Sequence, residues 1–420
     1  MVDKNLFLYD LAFVAIMKGE EPYVKEWLDY YLLTGVDHFY IYDNDSTPEF
    51  KKILQPYIDA RIVTYTFFPG KNRLMEAYND AVKRFKFECR YMAFVDGDEF
   101  ILPKSKPTIT EIVDDVLSGN TRAAGLVINW IIYGSNDQEI ADYTRGVLDR
   151  FTRRDKNVDI QVKSVTNPRK VDFMNIAHFA YFFPENYSVN ELGELVFGPF
   201  NEARTADKIQ MNHYHLKSRE EYINRIKRGN ADGLNPRTLK FFEDSDKEAN
   251  DVFDDNILKY RDSRRAALIQ AGGGMESLLQ RKQINPVRLI NALIQNLFQT
   301  TIKGTPQDFF NDKIETFLTC LTLTEYLKEK YLDDTAVKFF EETSINAINR
   351  SFYSGMTAAD LLLLLREMPK ILQMDYPAVK NIRELCINFV SQLMVNYRMG
   401  NQWQKFTELD DKLEMLKSFR

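Results

Sequence analysis

Hydrophobic and polar positions alternate in blocks along the first hundred residues. Leu11–Met17 (LAFVAIM) is an unbroken apolar run, the pattern of a strand covered on both faces. Pro22 stands where a first helical turn begins, and Val24, Trp27, Leu28, Tyr31 and Leu32 follow at i, i+3, i+4, i+7 and i+8 until Gly35 ends the helix. His38–Tyr42 (HFYIY) reads as a second strand, closed by the polar turn Asp43-Asn44-Asp45-Ser46. Pro48–Ile58 reads as a helix, Arg61–Phe67 (RIVTYTF) as a strand, Asn72–Phe85 as a helix and Tyr91–Val95 (YMAFV) as a strand. Strands alternating with helices predict an α/β fold with a mostly parallel sheet and right-handed crossovers. Such sheets bind ligands beyond the carboxyl ends of their strands, here just after Met17, Tyr42, Phe67 and Val95.

From about residue 105 to 230 the pattern loosens, with a helix at Thr110–Leu117, a strand around Gly125–Tyr133, and β-like runs near Gln161–Val165 and Ile176–Phe183. Residues 1–260 read as one α/β domain. Beyond Gly272-Gly273-Gly274 the texture changes, because residues 275–420 hold only Gly304, Gly355 and Gly400 and show helical spacing throughout. Phe309–Lys330, Thr335–Phe352, Ala358–Gln373 and Ala378–Arg398 predict an all-α bundle over residues 275–420.

Composition narrows the function classes. With 55 Lys and Arg against 61 Asp and Glu, the formal charge of −6 lacks the basic excess that nucleic-acid binding requires. Cys89, Cys320 and Cys386 have no metal-ligand spacing, and their odd number argues for a reducing, cytoplasmic setting. Leu361–Leu365, the longest aliphatic run, is far short of the roughly 18 residues of a membrane span, so no transmembrane segment is expected. A location peripheral to the inner face of the membrane is compatible with that.

The four strand ends carry Lys18-Gly19-Glu20, Asp43-Asn44-Asp45, Pro69-Gly70-Lys71-Asn72-Arg73 and Asp96-Gly97-Asp98-Glu99, all rich in charge. None has the phosphate-cradling glycines of a dinucleotide fold or a P-loop. Asp96-Gly97-Asp98 is the sharpest signal. Carboxylates at i and i+2 project to one side of an extended segment, Gly97 lets a ligand approach, and two hard oxygen donors suit a divalent cation that also binds a diphosphate. An isolated D-x-D is usually a solvated loop; its place at a cleft-forming strand end favours the ligand reading. Asn212-His213-Tyr214-His215-Leu216-Lys217-Ser218 holds two of the four histidines, with His213 open to a metal or a structural role and Lys217 and Arg228 to an anion or to solvent.

Lys18-x-Glu20 with Tyr23-x-Lys25-Glu26-Trp27-Leu28, Gly35-Val36-x-His38 with Ile41-Tyr42-Asp43-Asn44, Asp96-x-Asp98-Glu99-Phe100, Trp130-x-x-Tyr133-Gly134-Ser135, and His213-Tyr214-x-x-Lys217-Ser218-x-x-Glu221 with Lys227-Arg228-Gly229 together resemble glycosyltransferase family 92 and its family 2-like relatives. The resemblance covers roughly residues 10–235, departs at Gly19, where Asn or Asp is usual, and near Asp137, where a small residue is usual, and leaves the helical portion outside. It implies a GT-A fold (Rossmann-like, mostly parallel), a nucleotide-sugar donor, typically UDP-activated, a Mn²⁺ or Mg²⁺ ion and inverting transfer. It further implies that Asp98 binds the metal, that Asp96 holds the ribose or a metal-bound water, and that His213 completes the coordination. Glu20 and Asp43 would contact uracil and ribose, and Arg73 and Lys217 would offset diphosphate charge.

Inversion needs a carboxylate to take the acceptor's hydroxyl proton. Asp137, in the polar turn after Trp130–Gly134, and Glu185, after the run ending at Phe183, are the candidates on the expected acceptor side. The acceptor implied is a glycan or glycolipid, as in surface polysaccharide synthesis, and the helical portion suits self-association or docking on a membrane-assembly partner. Two rival readings remain at this point: a sugar-phosphate nucleotidyltransferase and a non-catalytic glycan- or protein-binding module.

Overall fold

In the computed structural model of the chain, residues 7–86, 88–229, 238–280, 365, 368, 372, 377–399 and 403–418 are described. The chain divides into two units, Tyr9–Ile284 and residues 1–8 with Asn285–Arg420.

The first unit is built on a mixed, mostly parallel sheet. Its strands are β1 (Tyr9–Met17), β2 (His38–Asp43), β3 (Val63–Phe67), β4 (Cys89–Phe94), β5 (Glu99–Pro103), β6 (Ala123–Ile132), β8 (Val162–Thr166), β11 (Tyr187–Val189), β12 (Leu195–Val196) and β13 (Ile209–His213), while β9 (Val171–Ile176) and β10 (Phe179–Phe182) form a hairpin and β7 (Arg153–Arg154) pairs with the remote β14 (Val252–Phe253). The order is β12-β11-β6-β8-β4-β1-β2-β3, with β13 running parallel to β6 and antiparallel to β5. β3, β2, β1 and β4 are parallel neighbours, and β8 runs antiparallel between β4 and β6.

The unbroken apolar run of β1 follows from cover on both faces. Leu11, Phe13, Ala15 and Met17 pack with Trp27, Leu28 and Tyr31 of α1 (Val24–Leu33) and Phe50 and Leu54 of α2 (Pro48–Asp59). Ala12 and Val14 face the other way, onto Tyr78, Ala81 and Val82 of α3 (Leu74–Phe85). Successive side chains of a strand point to opposite faces, so both layers need apolar residues. α4 (Ile109–Leu117) begins at a capping box between Thr108 and Glu111, as its sequence start suggests.

Three elements differ from the sequence expectation. The run expected at Ile176–Phe183 is one arm of a hairpin: it begins at the last residue of β9, turns at Ala177-His178 and continues as β10, which pairs back antiparallel on β9. Glu99 does not continue a loop but opens β5, and His213 closes β13. The segment 261–270 continues α8 (Asn256–Gln270) within the first unit, followed by α9 (Met275–Gln280).

In the second unit the described helices are α10 (Pro377–Met399) and α11 (Trp403–Ser418), which bury Cys386, Val390 and Met394 on one and Leu409, Leu413 and Leu416 on the other. The expected helices at 309–330 and 335–352, and nearly all of that at 358–373, lie outside the described residues. The two described helices do not by themselves establish the expected bundle. Among the described residues no helix is long and apolar enough to cross a membrane.

Candidate functional site

The carboxyl ends of β1 and β4 converge on the Asp96-Gly97-Asp98-Glu99 turn, and α1 fixes that turn from below. Trp27 donates its indole N–H to the carbonyls of Asp96 and Glu99, at 3.1 and 3.2 Å, and Tyr31 donates its hydroxyl to the Glu99 carbonyl at 3.0 Å. The Glu99 carboxylate accepts the Asp96 backbone N–H at 2.9 Å. The carbonyls of Asp96 and Glu99 and the Asp96 N–H are thereby matched in a turn that carries three acidic side chains, while Glu99 Oε1 is buried without a hydrogen bond. The fold does not itself demand Gly97: a Cβ there would meet Glu20 and Met17 at an ordinary 3.5 Å.

The two aspartates have different surroundings. Asp96 Oδ2 accepts from Lys163 Nζ at 2.9 Å and Oδ1 from the Tyr78 hydroxyl at 3.1 Å. Burial would raise its pKa, but Lys163 outweighs burial and holds the carboxyl below its ordinary value. Asp98 is ion-paired to Arg225 through Oδ2, and its Oδ1 faces His213 Nε2 at 3.7 Å. Burial again acts upward and is overcome, here by Arg225, His213 and Lys217, leaving Asp98 well below the usual carboxylate range. Glu99 is fully buried and has the opposite fate. Burial pushes it up to about 8, with Asp96 and Asp98 adding to the rise and Lys163 opposing it.

β13 and α6 (Arg219–Arg228) supply the opposite wall. His213, last residue of β13, lies against Trp130 of β6 and His215, with ring centroids 4.1 and 4.6 Å apart. Lys217 follows in a left-handed conformation, φ 54°, with its ammonium 3.5 Å from the Tyr23 ring centroid and 3.9 Å from Glu20. A non-glycine residue held there is costly and typical of functional sites. Burial lowers the Lys217 pKa, and Glu20 and Asp98 oppose it. Arg225 Nη1 also donates to the His215 carbonyl at 2.9 Å, and Arg228 donates to the carbonyls of Lys18 and Gly19 and pairs with Glu20 at 2.9 Å. Gly19 has φ +63°, a conformation that Gly, Asn and Asp share, which accounts for the glycine at this position. Glu20, Tyr23, Tyr143, Lys217, Arg225 and Arg228 line a cavity of about 150 Å³. Lys217, Arg225 and Arg228 share that lining with the carboxylates of Glu20 and Glu221, and three cations against two carboxylates suit an anionic ligand.

Behind α6 is a buried ion pair. Arg150, at the end of α5 (Val147–Arg150), forks onto both oxygens of Glu221 at 2.8 Å; the same carboxylate accepts the Tyr23 hydroxyl at 2.7 Å and caps α6 through Ser218. Glu26 caps α5 by accepting the N–H groups of Val147 and Leu148. Of these residues, Tyr23 and Glu221 line the cavity.

Of the residues singled out in the sequence, Glu20, Asp96, Asp98, His213 and Lys217 come together. Asp43 is buried at the end of β2 with its oxygens taken by the Ser46 N–H and the Tyr65 hydroxyl, at 2.8 and 2.7 Å. Arg73 precedes α3, stacked 4.3 Å from the Phe68 ring centroid and paired with Glu76. Asp137 is exposed, φ 59°, in a turn docked on the start of α6, where Arg219 and Glu220 donate to the carbonyls of Gln138 and Glu139. Glu185 is not brought to the site. It pairs with Arg122 at 3.8 Å, beside the start of β6, whereas Glu99, next to Asp98, lies level through β13 with that strand's last residue, Ile132. Sequence reasoning passed over Lys163, Arg225, Arg150 and Tyr78. A lysine between Val162 and Val165 in the β-like run Gln161–Val165 was the available signal for the first.

Residues 14–265, more than half of the chain, match the model of Glycosyltransferase family 92. A glycosyltransferase family 92 protein of Ricinus communis is 20% identical over 173 residues, 40% of this chain and 31% of the relative. One from Oryza sativa subsp. japonica is 22% identical over 106 residues, 25% of this chain and 18% of the relative. One from Arabidopsis thaliana is 25% identical over 93 residues, 22% of this chain and 16% of the relative. Each match spans less than a third of the relative's length.

Proposed function

The chain belongs to glycosyltransferase family 92, and from that membership we propose that it transfers a hexosyl group, with inversion, from a nucleotide-sugar, a UDP-sugar, to a hydroxyl of a glycan or glycolipid. One observation carries the reading: at the strand ends Asp98 faces His213 beside a cavity lined by Lys217, Arg225 and Arg228. A nucleoside diphosphate is the leaving group, and its departure builds negative charge that fixed cations stabilise.

The proposal includes Mn²⁺ or Mg²⁺. Among the described residues no three His, Cys, Asp or Glu side chains are grouped to hold an ion. Asp98 Oδ1 and His213 Nε2, however, leave a two-donor edge, with Arg225 confined to the other carboxylate oxygen. That fits ions which draw most of their ligands from substrate phosphates and water. When bound, the ion supplies charge neutralisation at the departing diphosphate. Asp98 and His213 would hold it; Lys217, Arg225 and Arg228 bind and orient the phosphates. Glu20, with one oxygen buried and free of any hydrogen bond, is offered to the nucleoside, and Asp43 and Arg73 border that side. Asp137, at the flank of α6, takes the acceptor's proton in this scheme; Glu185 is too remote. The wider proposal is a cytoplasmic enzyme of surface polysaccharide synthesis that self-associates or docks on a membrane partner through residues 275–420.

The test is release of UDP from a panel of UDP-sugars with and without MnCl₂. Asp98→Asn should lower metal-dependent release by a hundredfold or more with unchanged circular dichroism. Wild-type turnover in Asp98→Asn, or no release from any UDP-sugar, would overturn the reading.

A further inference from the structure

Lys163 is the one charged residue of β8, and its side chain is 1% exposed. An ammonium taken out of water costs several kcal/mol unless its partners are well placed. Its partners are Asp96 Oδ2 at 2.9 Å and Glu99 Oε2 at 3.4 Å. The backbone of the acidic turn does not need it, because Trp27 and Tyr31 already bind the carbonyls there. What Lys163 fixes is a side chain. Together with the Tyr78 hydroxyl on Oδ1, it engages each oxygen of a carboxylate that remains 36% exposed. Each oxygen has a second lone pair to offer.

Placement of the cations separates Lys163 from the others. Lys217, Arg225 and Arg228 line the cavity and would turn to an entering diphosphate, taking charge compensation away from Glu20 and Asp98. Lys163 reaches Asp96 from the central sheet, from a strand that does not line that cavity. Its compensation of Asp96 persists when the site fills.

We infer that Lys163 is a positioning residue of the donor site: it holds the Asp96 carboxylate, with Tyr78, as a fixed hydrogen-bond acceptor for a hydroxyl of the bound nucleotide, and leaves ion binding to Asp98. The inference rests on the proposed donor site. It is tested by calorimetric titration of the full chain with UDP in MnCl₂, alongside thermal unfolding. Lys163→Met should weaken UDP at least tenfold, and Tyr78→Phe, which preserves the buried ion pair, should weaken it roughly threefold at an unchanged unfolding midpoint. If Lys163→Met fails to fold, Tyr78→Phe decides. Wild-type UDP affinity in Tyr78→Phe, or in a folded Lys163→Met whose midpoint alone has dropped, overturns the inference while the donor site stands. A wild-type chain that binds no UDP overturns the donor-site reading and this inference with it.

Discussion

Glu221 shows how one side chain couples the stability of this chain to the shape of its cavity. Its carboxylate is held by Arg150, Ser218 and Tyr23 together; burial alone would raise its pKa, but these bonds push it down to about 2 from 4.5. The unfolded chain therefore takes up this proton first as pH falls. The group contributes roughly 3 kcal/mol that is fully present above about pH 5 and is lost between about 4.5 and 2. Glu221→Gln should lower stability at pH 7 by about 3–5 kcal/mol, since Arg150 would be left buried and unpaired, and should flatten the acid limb of a plot of unfolding midpoint against pH. An acid limb identical in variant and wild type would mean that other carboxylates govern it. At this scale the sequence was legible as to which residues meet: Asp96 and Asp98 follow a strand that ends at the cleft, and His213 faces Asp98 there. It was opaque where the role comes from a distant strand, because no local spacing connects Lys163 with Asp96, or Arg225 with Asp98 across 127 positions.

Elements were readable where both faces of a strand or one face of a helix must be apolar. β1, α1, β2 and α2 match the hydrophobic pattern within two residues at each end. The pattern missed most of β9, because Val171 and Met174 are its buried positions and break strict alternation, while Phe173 points outward and stacks on Tyr181 of β10 at 4.8 Å. It also missed β5, whose first residue is acidic yet fully buried. Gly134 is an element-scale requirement of another kind. A Cβ there would stand 2.6 Å from the Ala249 carbonyl at the end of α7 (Leu239–Ala249), where backbone cannot yield cheaply. Asn250 and Asp246 bond the same turn through the N–H groups of Asn136 and Ser135, at 3.0 and 2.6 Å. Gly134→Ala should cost about 1–3 kcal/mol and expose the region of α7 to limited proteolysis. Gly274→Ala, with nothing within 4 Å, should leave both unchanged. Equal protease resistance in the two variants would show that α7 docks without that close approach.

At the scale of the whole chain, the change of texture near residue 275 was visible in glycine content, but where the first unit closes was not, because closure depends on ion pairs and caps between remote segments. α8 runs on past residue 260 in contact with the sheet unit. Tyr260 donates to the Pro107 carbonyl at 2.7 Å, Arg261 forks onto Asp149 at 2.9 and 3.0 Å, Arg264 donates to the Leu33 carbonyl at 3.0 Å, and Leu268 is buried. A chain ending after Tyr260 loses all but the first of these, together with the apolar burial of Leu268, which by itself is worth about 1.5–3 kcal/mol. Residues 9–284, expressed alone, should unfold cooperatively and bind UDP with MnCl₂ as the full chain does, since every cavity-lining residue lies within that span. Residues 9–260 should unfold at a midpoint lower by about 5–10 °C, at a few degrees per kcal/mol for a domain of this size. Equal midpoints for the two fragments would show that α8 adds nothing to the unit, and loss of UDP binding from 9–284 would show that the site draws on residues beyond it.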